Sequence, residues 1–377
     1  ITLADIDAAR ARRDARAYGS ARVRGIKADA SDVSDLAEKL SGHDVAVNCT
    51  QHHFNLHVMR AALAAGCHYV DLGGLFTWTR RQLKLDRAFR RAGLTAVIGM
   101  GGSPGVTNVL ARWAAEKMDR IHAIRVRSGW HDPDARPDDF YFAFSPQTVV
   151  EELTLPAFEF RGGRFLRIPP RTRWERRVFP APFGAVWCLA TRHSEVATLP
   201  LSFAERGVRR VDFLLGYDRG FVREFERRWR AGWRLPEFKP LVAPRKAPRD
   251  QELLRVEVEG PGLRGLHRAR ETRLARERGG YRHRLSAVDC CPDARPRRDS
   301  RARRLSAGSL RSRSALFASP APPQDASPPS SAIRLNDCRR VIRARVVLLF
   351  GERMRPRIRN SAAWAPLSDG PAPRRRQ

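Results

Sequence analysis

Between residues 44 and 110, three short apolar runs alternate with two segments of helical periodicity. The runs cover residues 45–47, 69–72 and 96–98, and the stretches between them repeat apolar residues at helical spacing. Strand–helix–strand alternation is typical of a parallel sheet with helices packed on its faces. The sequence therefore predicts an α/β domain, whose ligand crevice should lie at the carboxyl ends of the strands.

Small or polar residues follow each of these runs. They are Asn48, Cys49 and Thr50, then Asp71 and Gly73, and finally Gly101, Gly102, Ser103, Pro104 and Gly105. Glycines let a backbone approach a ligand closely, and free amides at the start of the helix after Gly105 would suit a carboxylate or phosphate. The same residue types also form ordinary strand-to-helix turns, and Cys49 also fits a small buried residue, so these interpretations stay open.

Two segments carry a resemblance to a known family. NCTQHHFNLHVMRAALAAGCHYVDLGG and GLTAVIGMGGSPGVTNVLA resemble the saccharopine dehydrogenase-like family, which includes saccharopine reductases and carboxynorspermidine dehydrogenases. The resemblance implies a dinucleotide-binding α/β domain and an α+β domain that closes over the substrate. It also implies NAD(P)-dependent hydride transfer to or from the imine carbon of an amino-acid-derived secondary amine, with a small amino-acid-like molecule as substrate.

The resulting fold prediction is an α/β chain in three parts. Residues 1–120 form a partial Rossmann-like domain, residues 121–289 form an α+β closing domain with an antiparallel sheet, and residues 290–377 form a basic tail. The family's first strand and its glycine-rich phosphate turn are expected upstream of Ile1, so the parallel sheet should lack its first strand. Gly162 and Gly163, between two apolar runs, predict a hairpin in the second domain.

Two acidic residues are candidates for contacts with the cofactor. Asp5 follows an apolar run at the start of the chain, where a carboxylate can accept hydrogen bonds from the adenosine ribose. Its charge favours NAD over NADP, although Arg10, Arg12 and Arg13 would tolerate NADP; alternatively, Asp5 or Asp7 only caps the next helix. Asp29 follows another predicted strand, and the resemblance puts an acid there near the adenine. Ser31 is predicted to cap the helix that ends at Leu40.

Two histidine-containing segments are candidate proton donors. His52 and His53 follow the strand that ends at Asn48, and imidazoles can transfer protons near neutral pH. The spacing of His53 and His57 also occurs in zinc sites, but no third ligand of matching spacing is evident, so no metal is predicted. His193 and Glu195 are expected on one face of a strand as a proton donor and its carboxylate, or else as a salt bridge.

Arg173 and Arg192 are candidate partners of a substrate carboxylate, because a guanidinium can bind a carboxylate through two hydrogen bonds. In a chain so rich in arginine, however, the sequence does not single out either residue.

The chain has a net charge of +31, which would ordinarily indicate nucleic acid. Its distribution argues against that partner, since residues 290–377 hold 20 arginines and no lysine against six acids, a net +14. This tail is expected to be disordered or translated out of frame; a nucleic-acid-binding tail is the alternative.

Six cysteines without metal spacing favour a reducing cytoplasm, and no apolar run is long enough for a membrane helix. A homodimer is kept among the candidate partners.

The favoured function is an oxidoreductase that uses NAD or NADP. Two alternatives stay open: a catalytically dead, truncated remnant of such an enzyme, and a basic nucleic-acid-associated protein.

Overall fold

The computed structural model describes residues 1–116, 118–131, 140, 142, 145–241, 251–261, 267–277, 280–290 and 346–350. The strands are β1 Thr2–Asp5, β2 Arg24–Lys27, β3 Val45–Cys49, β4 His68–Asp71, β5 Ala96–Val97, β6 Ala123–His131, β7 Ala157–Arg161, β8 Arg164–Ile168, β9 Trp174–Val178, β10 Ala185–Ala190, β11 Arg210–Gly216, β12 Gln251–Pro261, β13 His267–Glu277, β14 Gly280–Cys290 and β15 Val346–Phe350. The α-helices are α1 Ala8–Ala17, α2 Val33–Leu40, α3 Asn55–Ala65, α4 Phe76–Gln82, α5 Asp86–Arg91, α6 Val106–Ala115, α7 Pro146–Thr154, α8 Glu195–Ser202, α9 Arg219–Arg230 and α10 Leu235–Phe238.

The first sheet is parallel and has the strand order β2-β1-β15-β3-β4-β5. Each apolar run predicted as a strand between residues 44 and 110 forms one, within two residues of the expected bounds. The chain adds β2 on one side of β1 and then moves to the other side of the sheet for β3, β4 and β5. A reversal of this kind places a ligand crevice at the carboxyl ends of the central strands.

The position between β1 and β3 is filled by β15, a segment from far along the chain. Val346–Phe350 pairs in parallel with β1 on one side and with β3 on the other. The sequence pattern assigned these residues to the basic tail, whereas the structure puts them where the family's first strand was expected. Residues 291–345 and 351–377 lie outside the described part of the chain, so the predicted disorder or frame change of the tail stays a prediction.

The second sheet is mixed and mainly antiparallel, with the order β14-β13-β12-β6-β11-β10-β9 and the hairpin β7–β8 attached to β11. The turn at Gly162 and Gly163 joins β7 to β8 as predicted. Neighbours β6 and β11 run parallel, and the chain between them contains α7, α8 and the four strands β7 to β10. The predicted class, a Rossmann-like parallel sheet followed by an α+β part with an antiparallel sheet, is confirmed.

Helix α6 connects the two sheets physically. Its buried residues Leu110 and Ala114 belong to the same apolar cluster as Val126 of β6 and Leu254 of β12. A separate apolar cluster lies between the parallel sheet and its helices, and it includes Leu36, Val58 and Val347. Because α6 follows directly on the loop after β5, its packing fixes that loop against the second sheet.

The start of α2 differs from the sequence prediction. Asp32, not Ser31, caps this helix, since its Oδ1 accepts hydrogen bonds from the amides of Ser34 and Asp35 at 3.1 and 3.0 Å. The hydroxyl of Ser31 instead donates to Oδ1 of Asp29 at 2.6 Å. The two residue types cap helices about equally well, so composition alone did not separate them.

Candidate active site between the two sheets

A buried hydrogen-bond network joins the carboxyl ends of β3 and β4. The amide of Asn48 donates to Tyr69 Oη at 3.1 Å, and Tyr69 Oη donates to Asp71 Oδ2 at 2.9 Å. Burial raises the pKa of Asp71, although hydrogen bonds from backbone and side chains oppose that rise. Asn48 and Asp71 are 1 % and 0 % exposed, so their side chains mainly hold the loops that follow β3 and β4 in place.

Asp71 also holds the loops after β4 and β5 together. Its Oδ1 accepts the amide hydrogens of Gly73 at 2.8 Å and Gly99 at 2.7 Å. A Cβ on Gly73, whose φ is +110°, would lie 2.5 Å from the ring of Pro104, so only glycine allows this approach. The predicted cofactor residue Gly73 and the predicted substrate residue Pro104 are therefore direct neighbours.

The loop 101–105 closes tightly before α6. Gly105 has a φ of +117°, and a Cβ there would lie 2.3 Å from the carbonyl oxygen of Gly101. The amide of Gly105 donates to Oδ1 of Asn108 at 3.1 Å. Since this amide is used within the protein, a carboxylate would have to be bound by other groups of the loop, such as the amides of Gly102 and Ser103.

His193 and Glu195 form a buried pair next to that loop. Nδ1 of His193 lies 2.7 Å from Oε2 of Glu195, and the imidazole stacks on the ring of Phe213 with 3.6 Å between the ring centroids. The other carboxylate oxygen of Glu195 accepts hydrogen bonds from the hydroxyls of Ser103 at 2.7 Å and Thr107 at 2.8 Å. A predicted catalytic carboxylate and a predicted substrate-binding loop are thus in contact.

The charges of this pair stabilise each other. Burial lowers the pKa of His193, but the adjacent Glu195 carboxylate outweighs it, so the net pKa is raised. Burial raises the pKa of Glu195, but the charge of His193 and the three hydrogen bonds outweigh it, so the net pKa is lowered. An imidazolium paired with a carboxylate is therefore the favoured state, and it can donate a proton.

Two residues that the sequence did not indicate extend the pair. Oε1 of Glu152 lies 3.7 Å from Nε2 of His193, and Tyr217 Oη donates to Oε2 of Glu152 at 2.6 Å. Burial raises the pKa of Glu152 and of Tyr217. We call His193, Glu195, Glu152 and Tyr217 the His193 cluster. A glutamate on the apolar side of α7, between Val149 and Leu153, was the available sign of a buried functional group.

His52 and His53 lie at a second contact between the two halves. Nε2 of His52 lies 3.0 Å from Oε2 of Glu151, which directly precedes Glu152 on α7. Burial and, to a smaller extent, His52 lower the pKa of His53. Neighbouring Gln51 donates a hydrogen bond to the hydroxyl of Ser145 at 3.1 Å. Helix α7 therefore connects both histidine segments through consecutive glutamates.

The secondary structure expected for residues 193–195 was wrong. Glu195 is the first residue of α8 and Ser194 precedes it, so His193 and Glu195 do not share the face of a strand. They meet because the chain turns into the helix there.

Of the candidate arginines, Arg173 pairs with the buried Glu159 and Asp212, whereas Arg192 donates to the carbonyl of Pro156 at 2.9 Å and to Thr77 at 2.9 Å.

The remaining cofactor candidates lie at strand ends of the parallel sheet. The Asp5 carboxylate accepts the amide hydrogen of Asp7 at 2.9 Å and pairs with Arg10 at 3.2 Å, and its side chain is 1 % exposed. Asp29 follows the edge strand β2 and binds Ser31, whose hydroxyl lowers the pKa of the carboxyl group. Burial raises the pKa of Cys49 to about 11, and the hydroxyl of Thr50 donates to Asn48 at 2.7 Å.

Among the residues whose placement is described, no three His, Cys, Asp or Glu side chains come together as a metal site. Within the same residues, no helix has both the length and the apolar character needed to span a membrane.

Comparison with known proteins tests the family resemblance. Residues 1–97 match the family described as the saccharopine dehydrogenase NADP binding domain. The predicted family resemblance is confirmed. The cofactor class predicted from the sequence, NAD or NADP, agrees with the description of this saccharopine dehydrogenase-type domain.

Curated relatives extend the similarity beyond that domain. The chain is 23 % identical over 214 residues to carboxynorspermidine synthase of Vibrio cholerae, covering 52 % of this chain and 50 % of that protein. It is 29 % identical over 185 residues to carboxyaminopropylagmatine dehydrogenase of Synechocystis, covering 45 % and 44 %. The chain thus spans about half the length of the curated relatives it matches. It is related to NAD(P)-binding oxidoreductases of the saccharopine dehydrogenase type.

A solved structure supports the fold. Apo saccharopine dehydrogenase (L-Glu forming) from Saccharomyces cerevisiae superposes with a TM-score of 0.53 at 15 % identity. The superposition covers 74 % of this chain and 81 % of the yeast chain, so the similarity in fold extends past the parallel sheet.

Proposed function

We propose that this chain is an NAD(P)-dependent oxidoreductase that transfers hydride to or from the imine carbon of an amino-acid-derived secondary amine. The observation that carries the proposal is the contact of Glu195, the partner of His193, with Ser103 in the loop after β5 and with Thr107 of α6. Through the hydroxyls of Ser103 and Thr107, a buried acid–base pair of the second sheet is held at the carboxyl edge of the parallel sheet. Hydride transfer and proton transfer would then take place at the same junction.

The residues at the edge of the parallel sheet fit a dinucleotide. The winding of the sheet reverses at its centre, as in dinucleotide-binding folds, and Gly73 packs closely on Pro104 beside the carboxyl end of β4. Asp5 ends β1, where a ribose would lie. Arg10 lies against the Asp5 carboxylate, so a ribose hydroxyl can reach Asp5 only when the Arg10 side chain moves aside. The displaced guanidinium would then be close to a ribose 2′-phosphate.

In the reductive direction, the substrate amine adds to an aldehyde carbon, and the adduct loses its hydroxyl as water to give a protonated C=N bond whose nitrogen keeps its hydrogen. A reduced nicotinamide bound at this edge would supply a hydride to the carbon of that bond, and the π electron pair would become the lone pair of the neutral secondary amine. Protonated His193 would donate the proton that the departing hydroxyl takes up, while Glu195 keeps the imidazole charged. Glu152 and Tyr217 would pass a proton back to Nε2 of His193. His52, paired with Glu151, is the second candidate donor.

The substrate class follows from the resemblance and from the loop 101–105. The names of the matched relatives describe carboxylated amines, and we extend that class to this chain. The amides of Gly102 and Ser103 would bind the substrate carboxylate at the start of α6, where the helix dipole favours negative charge. Arg192, half-buried at the second sheet, is the alternative partner for that group.

Two measurements on the full chain test this proposal. Titration with NADH and NADPH, followed by nicotinamide fluorescence, should give saturable binding. Oxidation of carboxynorspermidine or saccharopine with NAD or NADP should then give reduced cofactor, detected by its absorbance. Absence of cofactor binding would favour a catalytically dead remnant; binding without turnover on either amine would refute the substrate class.

A further inference from the structure

The centre of the parallel sheet is built from two distant parts of the chain. Leu3 of β1 pairs in register with Leu348, and Val47 of β3 pairs with the same residue from the other side. A strand in this position has hydrogen-bonding neighbours along both edges. Without it, β1 and β3 would each leave a row of backbone amides and carbonyls unpaired inside the domain, which is costly.

The sequence of β15 is suited to a central position. VVLLF is a continuous apolar run, as expected of a parallel strand covered by helices on both faces. The side chain of Val347 is 1 % exposed and belongs to the cluster that contains Ala4, Ala46 and Val58. Burial of a valine side chain contributes about 2 kcal/mol, so Val347 supports the pairing beyond its backbone hydrogen bonds.

The position of β15 also has a consequence for binding. The strand order reverses at β15: β1 and β2 are added on one side of it, and β3, β4 and β5 are added on the other side. Ligands of such sheets bind outside the carboxyl ends of the strands at this point. The end of β15 lies beside Cys49, with which Phe350 pairs in register, and next to the strand that ends in Asp5.

We propose that Val346–Phe350 completes the cofactor-binding sheet of this chain, so that dinucleotide binding depends on a segment that the sequence pattern assigns to the tail. The inference rests on the proposed function for its ligand, but the placement of the strand can be tested without any ligand. The occupant is this chain's own segment, paired within one molecule. A strand from a second copy is the competing occupant.

Cysteine pairs in the full chain test the placement. Val346 pairs in register with Val45, and neighbouring strands bring paired Cα atoms within disulfide range. The double variant Val45→Cys/Val346→Cys should form a disulfide within one chain under mild oxidation, identified by peptide mapping. The matched control Val45→Cys/Val347→Cys should not, because consecutive strand residues face opposite sides of the sheet. No link in the first variant, equal linkage in both, or a link between two chains would overturn the proposal.

A second variant tests the consequence for the cofactor. Leu348→Pro removes an amide donor from the centre of the strand and should weaken NADH binding about tenfold or more. Leu348→Val is the matched control, because it keeps the amide and a strand-forming side chain, and it should bind NADH as the parent does. Equal affinity of both variants would overturn the inference. If the parent chain itself binds no NADH while the intrachain disulfide forms, the proposed function fails and the strand placement stands.

Discussion

Glu195 binds His193 through one carboxylate oxygen and Ser103 through the other, at 2.7 Å in each case. The two partners come from opposite halves of the chain: Ser103 follows β5 of the parallel sheet, whereas the ring of His193 stacks on Phe213 of β11. A single carboxylate thus sets both the charge of the imidazole and the position of the loop. Its substitution should affect chemistry and loop position together.

His193→Ala should lower turnover about tenfold or more, because the proposed proton donor is lost. Affinity for NADH should change little, since the imidazole lies on the second sheet. Steady-state kinetics and fluorescence titration measure the two effects. The control His122→Ala changes an exposed histidine at the start of the second sheet and should leave turnover unchanged. An unchanged rate for His193→Ala would leave His52 as the candidate donor.

Glu195→Gln should move the alkaline limb of the pH–rate profile to lower pH, by about one pH unit. Glu195 raises the pKa of His193 against the effect of burial, so a neutral glutamine lets that pKa fall. The profile of kcat against pH measures the shift. Glu116→Gln removes an exposed carboxylate on the far end of α6 and should leave the limb in place. A limb that does not move in Glu195→Gln would assign it to another group.

The stability contributed by His193 should depend on pH. Since the folded pKa is raised, this contribution is complete below about pH 6.5, the value for an unfolded histidine, and is lost as the pH rises through the folded pKa. Glu195 has a lowered pKa, so its contribution is present above about pH 4.3 and is lost in acid. The difference in Tm between parent and His193→Gln should therefore narrow from pH 6 to pH 9, where about half or more of it should disappear. A difference that is constant over this range would contradict the charged pair.

Arg10→Ala should shift cofactor preference from NADPH towards NADH. The guanidinium lies 3.2 Å from the Asp5 carboxylate, at the strand end proposed for the ribose. Its removal takes away a partner for a 2′-phosphate and leaves the acid free to accept ribose hydroxyls, so the ratio of the two dissociation constants should change about tenfold. Arg16→Ala, on the last turn of the same helix, is the control. An equal ratio in parent and Arg10→Ala would place the ribose elsewhere.

Gly105→Ala should destabilise the protein by about 3 kcal/mol or more, because the new Cβ meets backbone atoms at a φ reserved for glycine. Gly66→Ala is a matched comparison, since Gly66 has a φ of +71° but open space around a Cβ. It should cost only about 1 kcal/mol, from conformational strain alone. Urea unfolding of the two variants measures the difference. Similar losses would show that the packing of residue 105 on Gly101 contributes little.

Local patterns predicted much of the parallel sheet. The strands near residues 45, 69 and 96 were found because each is a short apolar run ended by glycine or a small polar residue, a signal that needs no knowledge of distant contacts. The hairpin at Gly162 and Gly163 was found for the same reason. The helix cap at Asp32 was missed because Ser31 is equally suited to that role.

The missed parts of the site depend on contacts between distant residues. Glu152 and Tyr217 are 65 positions apart, and only the packing of α7 near the end of β11 brings their side chains together. The spacing of His193 and Glu195 suggested that both lie on one face of a strand. The chain instead turns into α8 at Glu195, so the two side chains come together across the start of a helix. The roles given to these residues and to the strand ends stay predictions.

The late position of β15 in the chain affects the order in which the protein can fold during synthesis. Residues 1–97 leave the ribosome long before Val346 is made, so β15 reaches its place between β1 and β3 only after most of the other described strands have been made. While that place is unfilled, the facing edges of β1 and β3 can pair with any extended peptide, including the same segment of a neighbouring nascent chain. We therefore expect yield to depend on chaperones and on expression rate more strongly than the thermal stability of the finished protein would suggest.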